Sequence, residues 1–167
     1  ASGGWRESIE APDGLLDSAT CLAILSAGRD TGPFALTAPR TRATVAGLEA
    51  IFSELYLVNR DRAAPAIGRW AGDVYFDGNP WYPNTLGFAE LHYRIAAATR
   101  DPSAFAKADA WMALIEAVAP APGPLPEQFD RTTGAPTSCL NLTWSAAAFL
   151  QAAAARDAAL QAMAGSR

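Results

Sequence analysis

The chain of 167 residues is half hydrophobic, carries 18% charged residues and has a formal net charge of −4. This length and composition fit one globular domain with a real core and exclude a disordered chain. Acidic and basic residues are interspersed without a basic patch, which argues against a nucleic-acid partner, and no apolar run approaches the length of a membrane span.

The opening Ala1-Ser2-Gly3-Gly4-Trp5 lacks the charged and apolar regions of a signal peptide. A mature chain would lack them too, so the compartment stays open. Arg6 to Glu10 is a candidate short strand. Asp17 then caps a first helix through Leu22, Leu25 and Ala27, stopped by Gly28. Thr37 and Pro39 start a second, whose Val45, Leu48, Phe52, Leu55 and Tyr56 follow the helical period. A third helix is expected over 81–100, with Pro83 in its first turn. Asp101-Pro102 ends it and opens a fourth, through Phe105, Trp111 and Ile115 to Val118. The alanine-rich stretch from about Leu142 to Ala164 reads as a fifth.

The connections differ in content. Gly28 to Ala38 is plain and Arg100-Asp101-Pro102 is tight, whereas Asn59–Pro80 and Ala119–Asn141 are long and rich in functional groups. With Trp5 to Leu16 as a third such approach, elaborate loops precede every second helix. That alternation suits stacked helical hairpins with one functional face, where helix N-termini offer N–H groups to oxygen-rich ligands.

Gly68 to Trp81 reads G-R-W-A-G-D-V-Y-F-D-G-N-P-W. Aromatic faces beside Arg, Asp and Asn suit a sugar, whose C–H face stacks while its hydroxyls take directed hydrogen bonds. The plainer alternative is a loop stapled over a core by its aromatics. In the later loop, Glu127 lies between Pro126 and Gln128, just before Phe129 and Asp130. A carboxylate held there could act as a general base or be an ordinary surface glutamate. Metal and nucleophile chemistry find little support. The two cysteines, Cys21 and Cys139, are far apart and read as buried free thiols ahead of a disulfide. The single histidine, His92, falls in a helical pattern with no G-x-S-x-G to accompany it.

Two blocks of sequence resemble the glucoamylase family, glycoside hydrolase family 15, especially its fungal-type members. The first comprises Gly68-Arg69, Asp73, Tyr75, Gly78-Asn79-Pro80-Trp81-Tyr82, Thr85-Leu86 and Ala89-Glu90. The second comprises Glu127-Gln128-Phe129-Asp130 and Leu142-Thr143-Trp144-Ser145, with a weaker match over Asp17–Leu25. The resemblance implies an all-α fold, the C-terminal part of an (α/α)6 barrel, with the first, third and fifth helices inner. It implies an inverting enzyme that releases β-glucose from the non-reducing ends of starch-like glucans, at α-1,4 and more slowly at α-1,6 links, without a cofactor.

In that scheme Glu127 is the general base and Arg69 binds hydroxyls of the terminal glucose. Tyr75, Trp81 and Trp144 line the sugar pocket, and Asp73 holds the loop or a sugar hydroxyl. Inversion needs a second carboxyl group roughly 6.5–9.5 Å from the first. The family's acid belongs to an earlier part of its domain. Asp13 and Asp17 lie on the same face here but do not match its motif. An N-terminal part of the same catalytic domain is thus the expected partner chain, and a secreted or periplasmic setting is implied by the family alone. Gly72, where fungal relatives carry an acid, and Leu140-Asn141, where they carry an Arg-Asp pair, leave linkage preference open. A non-catalytic sugar-binding fragment and a protein-interaction scaffold are the alternatives.

Overall fold

The computed structural model describes residues 3–165; Ala1 and Ser2, the start of the segment read for a leader, lie outside them. Five α-helices dominate: α1 (Ser18–Ala27), α2 (Pro39–Leu55), α3 (Tyr82–Thr99), α4 (Pro102–Val118) and α5 (Thr143–Ala164). Their ends have local causes. The Asp17 carboxylate accepts the Ala19 N–H at 2.8 Å, and Gly28 closes α1 in the left-handed conformation at φ 55°. Proline occupies the first turn of α2, α3 and α4, where its missing N–H costs nothing. Arg100, at φ 56°, ends α3, and Asp101 caps α4 through the Ser103 N–H.

Helix α3 is the centre of the molecule. Its residues Tyr82 to Tyr93 are all buried, so it has no solvent face over its first three turns. It packs on α4, on α5 and on α1. Small residues allow these approaches: α5 turns Ala148, Ala152 and Ala159 inward, and a Cβ on Gly87 would fall 2.4 Å from Leu22. Between the three odd-numbered helices runs a cleft of about 360 Å³, lined by Leu22, Pro83, Glu90, Arg94 and Trp144 among others. On the opposite side, fully buried Trp111 of α4 meets Phe88 edge-to-face and His92 at a tilt, and its Nε1 donates to the Pro65 carbonyl at 2.7 Å.

The expected strand at Arg6–Glu10 does not form. Those residues make bends in which the Arg6 guanidinium donates to the Ile9 carbonyl, so the segment bonds to itself rather than to a neighbour strand. The strands that do occur are β1 (Gln128–Phe129) and β2 (Pro136–Thr137), an antiparallel pair with Gln128 opposite Thr137. Both cysteines are free; Cys21 is buried, with its thiol pushed up to about 12 by burial, whereas Cys139 is exposed, against expectation. Cys139 lies in the loop before α5, where its backbone is bonded and its side chain is left outside. No described helix is long and apolar enough to cross a membrane.

Candidate active site

The N-termini of α1, α3 and α5 meet at one end, and the two elaborate loops bond to them there. Ser18 N donates to the Arg69 carbonyl (2.9 Å), Trp81 N to that of Ile67 (2.9 Å), Tyr82 N to that of Glu127 (3.0 Å) and Leu142 N to that of Leu125 (3.0 Å). An isolated β-bridge between Trp81 and Gln128 ties the loops to each other. Residues from distant parts of the chain thereby share one face.

Arg69 is held from several sides. Its Nε and Nη2 donate to the two Asp73 oxygens at 2.7 and 2.6 Å, a bidentate pair. The guanidinium carbon lies 4.5, 5.1 and 5.2 Å from the ring centroids of Trp70, Tyr75 and Trp81, in cation–π contact with each. Burial by itself would raise Asp73, but the Arg69 bonds and the Tyr75 N–H (3.0 Å) outweigh it and hold this carboxyl below the ordinary range. The bond to Asp73 raises Arg69 further above its usual value. Asp73 is buried and committed to Arg69 and to its own loop. Arg69 keeps its side chain 31% exposed, with donor capacity left on the open side.

Glycine at 68 is a steric requirement. A Cβ there would fall 1.9 Å from the Tyr56 hydroxyl. The Asn84 amide donates to Ser18 Oγ at 2.6 Å and approaches the Gly68 carbonyl at 3.4 Å, so α1 and α3 clamp the chain immediately before Arg69.

After Asp73 the loop makes an unusual turn. Phe76, Asp77 and Gly78 are left-handed in succession, at φ 45°, 61° and 65°. For the two non-glycine residues this costs roughly 1–2 kcal/mol each. Gly78 has no alternative, because a Cβ there would stand 2.2 Å from the Asp73 carbonyl oxygen. The Asn79 amide donates to the Phe76 carbonyl (2.6 Å), while its oxygen accepts the Arg131 N–H (3.0 Å); Arg131 Nη1 donates to the Asp77 carbonyl (3.1 Å).

Glu127 is half-buried. Its N–H donates to the Cys139 carbonyl at 2.7 Å, and its carboxylate accepts the Ser138 hydroxyl. Ser138 itself is left-handed, at φ 62°. Trp144, in the first turn of α5, lies 6.3 Å from Trp81 between ring centroids; Tyr75 lies 5.9 Å from Trp81. Trp81 is nearly covered, whereas Trp144 and Tyr75 are 47% and 43% exposed.

All six residues read from the sequence therefore occupy the same end of the molecule. Arg69, Asp73, Tyr75 and Trp81 form one contiguous cluster, Trp144 joins it through Trp81, and Glu127 joins it through the backbone of Tyr82. Sequence reasoning missed Ser138 and Arg131, which hold these groups, and named Asn79 as part of the matching block without its role in fixing the turn. A hydroxyl residue in T-S-C was the only hint of the first. Asp17 also stands near Arg69; burial raises its carboxyl, against the lowering bond from Ala19 N–H, and that bond commits it to capping α1. Among the described residues no cluster of three or more His, Cys, Asp or Glu could hold a metal ion.

Comparisons with known proteins agree with this architecture. The chain is 35% identical over 130 residues to a glucoamylase of Neurospora crassa, an alignment covering 56% of this chain and 21% of that protein. Glucoamylase P of Amorphotheca resinae is 33% identical over 141 residues, covering 59% of this chain and 23% of its own. Among solved structures, Hormoconis resinae glucoamylase superposes with a TM-score of 0.83 at 28% identity, over 93% of this chain and 35% of that one. The chain thus spans between a fifth and about a third of the length of these relatives. Its helices are part of an (α/α)6 barrel of alternating inner and outer helices. A family model described as glycosyl hydrolases family 15 matches residues 6–154, and the chain belongs to that family.

Proposed function

We propose that this chain is the base-bearing, C-terminal part of an inverting, exo-acting glucoamylase-type hydrolase. The enzyme releases glucose from the non-reducing ends of α-1,4 and α-1,6 glucans. The observation that carries the reading is the convergence of Arg69 and Glu127 on Trp81-Tyr82: the guanidinium lies 5.2 Å from the Trp81 ring, and the Tyr82 N–H is bonded to the Glu127 carbonyl. The terminal glucose sits against the Trp81 and Trp144 faces, and its hydroxyls accept from the free N–H groups of Arg69. Asp73 fixes the fork and neutralises it.

Glu127 takes the proton of a water as that water attacks the anomeric carbon. Its Ser138 bond sets which carboxylate oxygen faces the water. The glycosidic oxygen leaves with a proton from a second carboxyl group on the other side of the bond. In this scheme that group comes from the N-terminal part of the catalytic domain, the proposed partner of this chain, and this chain alone turns over substrate very slowly.

Glu127→Gln in the assembled catalytic domain tests the role. Turnover of maltooligosaccharide falls by about 10²–10⁴-fold while the affinity for maltose stays within a few-fold. Unchanged turnover would remove Glu127 as the base. Sugar binding by the unsubstituted assembled domain with no turnover would favour the second reading, a binding fragment that keeps the half-exposed Tyr75 and Trp144 as its platform.

A further inference from the structure

Tyr56, just past the end of α2, carries a buried group that costs stability. The residue is 1% exposed, and its hydroxyl has no hydrogen-bond partner among the described residues. Leaving such a group unpaired is unfavourable, and phenylalanine would fill the same place without it. Burial pushes the hydroxyl well above its ordinary range, so it stays a neutral O–H. The ring is firmly held: it stacks on Phe52 at 5.1 Å and 20°, and the Arg131 guanidinium of the second loop lies 5.7 Å from its centroid. In place of a polar partner, the hydroxyl meets the chain at Gly68. A Cβ built there would fall 1.9 Å from this oxygen, with the next atoms, Phe52 Cε1 and Tyr56 Cζ, at 3.0 and 3.1 Å. At the same point the Asn84 amide approaches the Gly68 carbonyl, and the Ser18 N–H bonds to the carbonyl of Arg69. The backbone that delivers the Arg69 fork is thus gripped between α1, α3 and a single oxygen atom of Tyr56.

We propose that Tyr56 is a positioning residue for the sugar grip: its hydroxyl is a spacer that sets how far Gly68, and with it Arg69, stands from the end of α2. Unfavourable local features of this kind persist where they serve a site. Phenylalanine, one oxygen shorter, leaves the chain at Gly68 without its contact, and the chain settles toward the ring. Arg69 then moves relative to the Asp73 carboxylate, which the Tyr75 N–H also holds, and relative to the Trp81 ring at the start of α3. Glu127 is held elsewhere, through Cys139, Ser138 and Tyr82, so the chemical step is left alone. The inference rests on the glucan-hydrolase reading given above.

The test measures kcat and KM for maltose, together with Tm, in the assembled catalytic domain. It compares the unsubstituted protein, Tyr56→Phe, Gly68→Ala and the double variant. Tyr56→Phe is expected to raise KM about three- to tenfold and to leave kcat within about twofold. Its Tm rises by about 2 °C, because an unpaired buried group is gone. That combination separates positioning from a merely structural role, which would lower Tm or the active fraction and leave KM alone. Gly68 lies outside the left-handed region, so alanine there meets the hydroxyl and not backbone strain. In the double variant the alanine methyl takes the place of the missing oxygen as the spacer. KM and Tm should both recover most of what Gly68→Ala loses, a coupling that independent sites do not show. An unchanged KM in Tyr56→Phe, a lowered Tm in that variant, or additive losses in the double variant would each overturn the proposal. An unsubstituted domain without turnover sinks the hydrolase reading and this inference with it. An active domain in which Tyr56→Phe leaves KM unmoved sinks this inference alone.

Discussion

Two ionic clusters in this protein use the same ingredients to opposite ends. On the loop face, Arg69 pairs with Asp73 four residues on and lies over three aromatic rings. On the far side of α3, Lys107 pairs with Glu49, His92 Nε2 stands 3.4 Å from the same carboxylate, and Lys107 and His92 both lie against Trp111. The second cluster joins residues from α2, α3 and α4, and its central ring is fully buried. Its charges are spent on each other and pin helices together. The first cluster is local in sequence, its carboxylate is covered, and its guanidinium and outer rings face outward. A cation beside an aromatic ring is therefore no indicator of function by itself. What separates the two is whether the loop backbone or the helix packing holds the pair, and which partner is left open.

Changes on the loop face should move activity, and changes in the far cluster should move stability with pH. After Glu127→Gln, the largest effect on activity is expected from Arg69→Lys. It keeps the charge but loses the two-pronged grip on Asp73 and the planar donors for sugar. KM for maltose should rise about ten- to a hundredfold, on the scale of a charged hydrogen bond of about 1.5–3 kcal/mol, with kcat affected less. An unchanged KM in steady-state assays would break the contrast with Lys107.

Gly68→Ala comes next, since its methyl must displace the Tyr56 hydroxyl. We expect a loss of about 1–3 kcal/mol in denaturant unfolding, together with a raised KM because Arg69 moves. A stability loss without any KM change would separate Gly68 from the site.

The far cluster predicts a pH effect. Burial, helped by Lys107 and opposed by the bond to the Phe88 carbonyl, pushes His92 down to about 4. Its unfolded value is about 6.5, so the unfolded chain takes up the proton first. This contribution to stability is fully present above about pH 6.5 and is lost progressively as pH falls toward 4, by about 3 kcal/mol at most. Glu49, raised by burial and lowered by its Lys107 bond, faces the same ring and shapes the lower end of that window. His92→Gln should flatten Tm against pH between about 4 and 6.5, leaving turnover alone. A slope retained in full would assign the effect to another group.

The smallest effect is expected from Ser138→Ala. Glu127 keeps its backbone position through Cys139 and Tyr82 but loses its hydroxyl partner. A roughly tenfold fall in kcat, with KM little changed, follows from the lost hydrogen bond to a carboxylate, at the lower end of about 1.5–3 kcal/mol. Ser138→Asn, which keeps a donor and tolerates the left-handed backbone at 138, should recover part of the loss.

The legible and illegible parts of this protein divide along the range of the forces involved. Asp17, Gly28, Pro39, Asp101 and Pro102 act on backbone within one turn, so the five helices and their limits could be read from neighbouring residues. The Gly68–Trp81 and Glu127 blocks could be read because the residue types that grip a sugar are concentrated there. Tertiary structure alone decided the rest. Arg6–Glu10 bends because no strand lies beside it, and Cys139 faces outward because its backbone is bonded to Glu127. Phe76 is forced into a left-handed turn by Asn79 and by Arg131, which lies more than fifty residues away. No local pattern encodes such bonds. They form only once α1, α3 and α5 have brought their N-termini to one end and the loops close over them.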